Sequence, residues 1–240
     1  QNVYHNFFFP FVEGFVFAKA NDTEDAISKL TDDVCAVMME LVQGEGGVMP
    51  LEKEYVQAVY AACQKKDILF IVDEVQTGVG RTGTFYSYQQ FGIQPDLVSS
   101  AKGLGGGLPI GAVLFGEKTQ DTLIPGDHGS TFGGNPVVCA GAVEVLNRMD
   151  DTFLQNVTAK GRHMREEIEK MPHVTSVAGM GMMLGIELDI DVKPVVTALM
   201  ENGLLVLTAK HKMRLLPPLN IAQTELEKGL SILKNTLAAL

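Results

Sequence analysis

The sequence predicts an α/β fold: a mostly parallel sheet interleaved with helices, followed by a smaller α+β unit. Three observations carry this. Short, unbroken apolar runs alternate with amphipathic stretches from about Gly14 to Phe115. Several of those runs end in a charged side chain. Past Asp150-Asp151 the pattern changes to long amphipathic segments around a glycine-rich extended stretch. Unbroken apolar strands separated by helices belong to parallel sheets covered on both faces, so residues 1–149 are expected to form a large domain and residues 150–240 a small C-terminal one.

The elements follow in order. Gly14 to Ala18 is a short apolar strand candidate. Asn21 and Glu24 stand at capping-box spacing and predict a helix to about Leu30. Val34 to Met39 is an apolar run ending in Glu40. Leu51 to Lys66 carries Val56, Val59, Tyr60 and Cys63 at helical spacing. Ile68 to Val72 ends in Asp73-Glu74, and the run from Leu97 ends near Ala101, just before Lys102. Gly111 to Phe115 is one more strand, and a long helix is expected from Gly134 to about Arg148. In the second unit Phe153 to Met171 is amphipathic, Val174 to Leu188 is extended, and Thr224 with Glu227 reads as a second capping box.

Composition narrows the function. A hydrophobic fraction of 46% with 20% charged residues supports a sizeable core rather than disorder. The net charge of -10 and the lack of a basic tract argue against nucleic acid and anionic membrane surfaces. An acidic protein that binds an anionic substrate must place individual cations, which singles out Arg81, Lys102 and Arg214. Cys35, Cys63 and Cys139 form no CxxC pair and read as reduced thiols of a cytoplasmic protein. No HExxH spacing suggests zinc, no apolar run reaches membrane-spanning length, and no signal peptide opens the chain. Residue 1 is Gln, and an aromatic cluster follows at Phe7-Phe8-Phe9, so the first part of a longer protein is expected to be missing.

In open parallel sheets the ligand lies beyond the carboxyl ends of the strands. Glu40, Asp73 and Lys102 each stand just past such an end. The run Asp73-Glu74-Val75-Gln76-Thr77-Gly78 continues into Gly80-Arg81-Thr82-Gly83. Pro95-Asp96-Leu97-Val98-Ser99-Ser100-Ala101-Lys102-Gly103 and His128-Gly129-Ser130-Thr131-Phe132-Gly133-Gly134-Asn135-Pro136 come after it. In these motifs, their order and their spacing, the chain resembles the class III aminotransferases, the ornithine and acetylornithine group of fold type I enzymes that use pyridoxal 5'-phosphate (PLP).

The resemblance implies residue roles. Lys102 would supply the amine that condenses with the PLP aldehyde, then carry the proton between the substrate α-carbon and the cofactor. A pocket that is partly desolvated and cationic would lower its pKa enough for that. Asp73 would hold the proton on the ring nitrogen, Val75 would lie on the ring face, and Gln76 would approach the ring hydroxyl. Ordinary core packing is nearly as good a reading for Val75. Thr131 would reach the phosphate bound by a neighbouring subunit, which implies a homodimer with shared active sites. Lys212-Met213-Arg214-Leu215-Leu216-Pro217-Pro218-Leu219 is similar to a family segment whose arginine grips a substrate carboxylate. Glu45 resembles a gate that pairs with Arg214 when no dicarboxylate is bound. Glu40 opens the same motif, with Leu41 where the family has proline. Arg81 reads as structural. The run Gly103-Leu104-Gly105-Gly106-Gly107 lacks the Gly-Lys-Ser/Thr ending of a nucleotide loop.

The partners implied are a small amino donor and 2-oxoglutarate, with no metal. The family's phosphate-cradling loop does not occur in residues 1–240. The isolated chain is therefore expected to bind PLP weakly, to turn over poorly and to expose sheet edges and apolar surface.

Overall fold

The structure is a computed structural model that describes residues 2–240, with side chains from Tyr4 onward. A short helix, α1 (Asn2–His5), precedes a long extended arm. Helix α2 (Thr23–Ser28) leads to strand β1 (Ala36–Met39), and the two-residue strands β2 (Val42–Gln43) and β3 (Met49–Pro50) make a small hairpin. Helix α3 (Lys53–Lys66), strand β4 (Leu69–Asp73), helix α4 (Tyr88–Phe91) and strand β5 (Leu97–Ser100) follow, then β6 (Ala112–Phe115) and helix α5 (Pro136–Arg148). The rest of the chain is α6 (Asp151–Ile168), β7 (Val174–Met180), β8 (Met183–Leu188), α7 (Val192–Glu201), β9 (Leu207–Ala209), β10 (Lys212–Leu215) and α8 (Gln223–Ala238).

The first sheet has the order β1-β4-β5-β6. Its first three strands are parallel and β6 returns antiparallel, with Leu97 opposite Phe115. Helix α3 makes the crossover from the small hairpin to β4. It forms where Tyr55, Val56, Val59 and Cys63 repeat on one face, and it buries that face with Phe70 and Val72 of β4. Asp67, in the left-handed region at φ 57°, ends the helix and turns the chain into β4. The second sheet, β7-β8-β10-β9, is antiparallel throughout. Helices α6, α7 and α8 cover it through a core that includes Val157, Ile168, Leu199, Met213, Leu233 and Leu237. A smaller cluster of Val42, Val48, Met183 and Ala209 joins the β2–β3 hairpin to the second sheet.

Five local expectations need correction. Gly14–Ala18 is extended but joins no strand of the described residues, and Phe15, Val16 and Phe17 all lie exposed. Its backbone groups have no ladder to enter, so no strand forms there. Asn21 does not cap α2. It sits at φ 60° and accepts a hydrogen bond from the Glu52 N–H, and Asp22 caps the helix by accepting from the Asp25 N–H. Thr224 caps nothing, because α8 starts at Gln223 and the Glu227 carboxylate bonds His163 Nε2 and Gln223 Nε2 instead. The extended stretch Val174 to Leu188 is two strands folded back at Gly181, not one. Finally, the first sheet is not covered on both faces by these residues: Met38 on β1 and Val113, Leu114 and Phe115 on β6 are exposed.

Candidate active site

Strand register assembles the site. Met39 pairs with Val72, and Asp73 pairs with Ser99. Glu40, Asp73 and Lys102 therefore emerge from three neighbouring parallel strands at one edge. The Ser99 carbonyl accepts from the Glu74 N–H at 2.9 Å, which locks the end of β4 to β5. Asp73 Oδ1 accepts two hydrogen bonds of 2.9 Å, from the Val75 N–H and from the Ser99 hydroxyl. Its Oδ2 accepts none from the described residues, so the carboxylate is oriented with one oxygen left to act. Next to it Glu74 is fully buried and spent on structure: it accepts from Thr77, from Ser87 Oγ at 2.7 Å and from the Tyr88 N–H at 2.9 Å.

Lys102 opens a 3₁₀ turn after β5, and its side chain is exposed. Its φ of 47° lies in the left-handed region, which costs a non-glycine residue about 1 kcal/mol or more. Burial pushes the Glu40 carboxyl above its ordinary range. The Gly44 N–H, which donates to Glu40 at 3.1 Å, opposes that rise; the Asp73 carboxylate adds to it, and the Lys102 cation opposes it. Asp73 and Lys102 thus both lie within electrostatic reach of Glu40.

A second cluster faces this edge. Arg214 on β10 has a side chain only 8% exposed and donates from Nη1 to Glu45 Oε1 at 2.7 Å. That hydrogen bond, the largest cause, holds the Glu45 carboxyl below the usual carboxylate range. Gln76 donates to the same oxygen at 3.4 Å, and the Tyr4 hydroxyl donates to Oε2 at 3.3 Å. The Arg214 Nε is buried without a partner among the described residues. Gly44 lets the Glu45 loop lie flat on Gln76, since a Cβ there would stand 2.3 Å from the Gln76 Oε1. Gln76 thus links the two clusters, directly after Val75 and three residues past the end of β4. Val75 is half-buried and joins none of the hydrophobic cores.

Thr131 stands apart. It lies in an exposed loop, and its hydroxyl makes no hydrogen bond with the described residues. An apolar cleft of about 300 Å³ between β9, β10 and α8 touches Arg214 but none of the sheet-edge residues. Sequence reasoning overlooked Ser99, which orients Asp73, and Tyr4, which reaches Glu45 from α1. Ser99 was visible as the register partner of Asp73 once β4 and β5 were taken as neighbours. Nothing in the sequence around Tyr4 signals its contact.

Three parallel strands that deliver a lysine and two carboxylates at one edge, facing an arginine from a second sheet, are the arrangement of the fold type I class. The chain belongs to the class III aminotransferases, whose family model matches residues 1–237. It is 50% identical over 241 residues to acetylornithine aminotransferase of Haemophilus ducreyi, an alignment covering 99% of this chain and 61% of that protein. The corresponding protein of Aquifex aeolicus is 40% identical over 238 residues, covering 99% of this chain and 63% of its own length. Among solved structures, N-acetylornithine aminotransferase of Stenotrophomonas maltophilia is 35% identical and superposes with a TM-score of 0.86 over 95% of this chain and 63% of that one. Ornithine aminotransferase of Toxoplasma gondii is also 35% identical, with a TM-score of 0.92 over 99% of this chain and 58% of that one. The chain thus spans 61 to 63% of the length of these two curated relatives.

Proposed function

We propose that this chain carries the core of a PLP-dependent aminotransferase that moves the δ-amino group of N-acetylornithine to 2-oxoglutarate, as in arginine biosynthesis. The observation that carries the reading is the shared edge of Glu40, Asp73 and Lys102, with the Glu45–Arg214 pair across from it. The chemistry of the donor set suits PLP. Asp73 keeps Oδ2 open for a protonated ring nitrogen, Val75 offers an apolar face outside the cores, and Gln76 lies beside them. When bound, PLP supplies an aldehyde and an electron-withdrawing ring.

The chain's own residues would do the rest. Asp73 holds a proton on the ring nitrogen, and its two fixed hydrogen bonds keep its charge in place. Lys102 Nζ takes and returns the proton at the reacting carbon. Arg214 holds a substrate carboxylate, and its buried guanidinium makes that grip strong because little water competes. Glu45 occupies Arg214 between carboxylate-bearing substrates, and Glu40 lines the approach. In this reading Thr131 meets the cofactor phosphate across a homodimer interface, and its exposure leaves it available for that. Residues 1–149 then serve as the cofactor-binding part and 150–240 as the small domain that brings Arg214. The chain is read as cytoplasmic; no helix among the described residues is long and apolar enough to cross a membrane.

Ornithine is the second reading for the donor, favoured by the Toxoplasma gondii likeness; 4-aminobutyrate is the third. Turnover of the PLP-loaded enzyme on N-acetylornithine, ornithine and 4-aminobutyrate, with 2-oxoglutarate as acceptor, separates them. The highest kcat/KM is expected on N-acetylornithine. Preference for either rival overturns the substrate assignment, and no turnover on any of the three leaves only a non-catalytic relative.

A further inference from the structure

We propose that Arg81 is a positioning residue that sets where Arg214 stands relative to the Asp73–Lys102 edge, and so tunes selection of carboxylate-bearing substrates. This rests on the reading of Arg214 as the carboxylate holder. Arg81 lies in the turn that follows Gln76, far in sequence from the second sheet. Its Nη1 donates to the Pro217 carbonyl at 2.6 Å and to the Met182 carbonyl at 3.1 Å, while its own carbonyl accepts from the Met182 N–H at 3.1 Å. Pro217 lies three residues after Arg214. Met182 leads into β8, whose Gly185 is the register partner of Arg214. One side chain therefore grips the residue that leads into β8 and the segment that follows β10, the two paired strands that fix Arg214.

The grip closes a ring. From Arg81 the chain runs back through its turn to Gln76, which donates to Glu45; Glu45 pairs with Arg214, and β10 returns to Pro217. Arg81 makes no ion pair with a described carboxylate, and burial alone pushes its guanidinium down to about 10. A half-buried cation held only by carbonyls is a costly way to stabilise a fold. It is a good way to hold two backbones at a fixed spacing, because the planar fork loses little freedom per bond formed. The fit is tight: a Cβ on Gly181, at φ 53°, would stand 2.6 Å from the Arg81 carbonyl oxygen.

The test follows the donor half-reaction of the PLP-loaded enzyme, without 2-oxoglutarate, on two amine donors: N-acetylornithine and 1,4-diaminobutane, which has no carboxylate. Arg81→Lys is expected to raise KM for N-acetylornithine on the order of tenfold to a hundredfold, as a misplacement of about 1 Å would. The diamine reaction and the cofactor absorbance should stay near the parent's. Pro217→Gly, which loosens the gripped strand and leaves Arg81 intact, should reproduce the pattern if Arg81→Lys does not fold. Equal losses on both donors, or no loss on either, overturn the proposal. Arg214→Gln is the control. If it fails to discriminate the donors, the reading of Arg214 falls; if it discriminates and the Arg81 and Pro217 variants do not, only the role of Arg81 falls.

Discussion

Glu40 and Glu45 lie five positions apart, and their surroundings move their carboxyl groups in opposite directions. Glu45 is held low by its hydrogen bond from Arg214, and Glu40 is pushed up by burial. The sign for stability follows from which state binds more protons. A depressed folded pKa contributes stability above the unfolded value, about 4.3 for glutamate, and loses it as pH falls through the folded value. Glu45→Gln should therefore lower Tm at neutral pH, with the deficit fading in acid. Glu40 behaves the other way: its ionised form is disfavoured in the fold, so stability declines as pH rises from about 4.3 through its higher folded value. Glu40→Gln should match the parent in acid and exceed it at neutral pH. Thermal melts of both variants from roughly pH 2 to pH 8 check the pair. Parallel curves for the two would show that the surroundings of these carboxylates have been misjudged.

At the scale of elements, Gly161 tests how the turn after Asp73 is held. Glycine inside a helix such as α6 costs about 1 kcal/mol relative to alanine, so Gly161→Ala would stabilise an ordinary helix. Here a Cβ would stand 2.3 Å from the Gly181 carbonyl oxygen, and Gly181 itself lies against Arg81 and Thr82. Backbone on the far side cannot swing away as a side chain could. The substitution should destabilise by about 1–3 kcal/mol, read as a lower urea midpoint with an unchanged slope; a gain would mean the hairpin turn is free to retreat. This contact also shows what a single sequence leaves out. The strands ending at Met39, Asp73 and Ser100 and the face of α3 were legible because apolar runs and helical spacing are local signals. Asp73 and Lys102 could be placed at one edge for the same reason. The cap at Asp22 and the uncapped start of α8 at Gln223 were missed because the competing partners, Glu52 and His163, come from distant segments. The antiparallel return of β6 and the split of residues 174–188 into two strands depend on tertiary pairing, which no local pattern encodes.

Across the whole molecule, the described residues leave several apolar regions uncovered, two of them extensive. One is the arm, with Phe7 and Phe17 at 99% and 83% exposure; the other is the open face of the first sheet at Met38, Val113 and Phe115. Exposed patches of this kind, beside a strand with an unpaired edge, drive association. The 240-residue chain in isolation should bind the dye ANS and scatter light at micromolar concentration, and Val113→Lys on β6 should reduce both. A chain that stays dispersed and dark would mean those faces are covered by some rearrangement of the arm. The same openness explains why PLP is expected to bind weakly to the isolated chain, since the sheet edge carries orienting groups without a closed pocket.

The central claim is that Lys102 and Asp73 address one bound ring. It is tested most directly by adding PLP, reducing with borohydride and mapping the modified peptide by mass spectrometry. The account predicts a single PLP adduct on Lys102, and a marked loss of that adduct in Asp73→Asn at equal protein stability. An adduct spread over other lysines, or one on Lys102 that ignores the loss of the Asp73 charge, would contradict it.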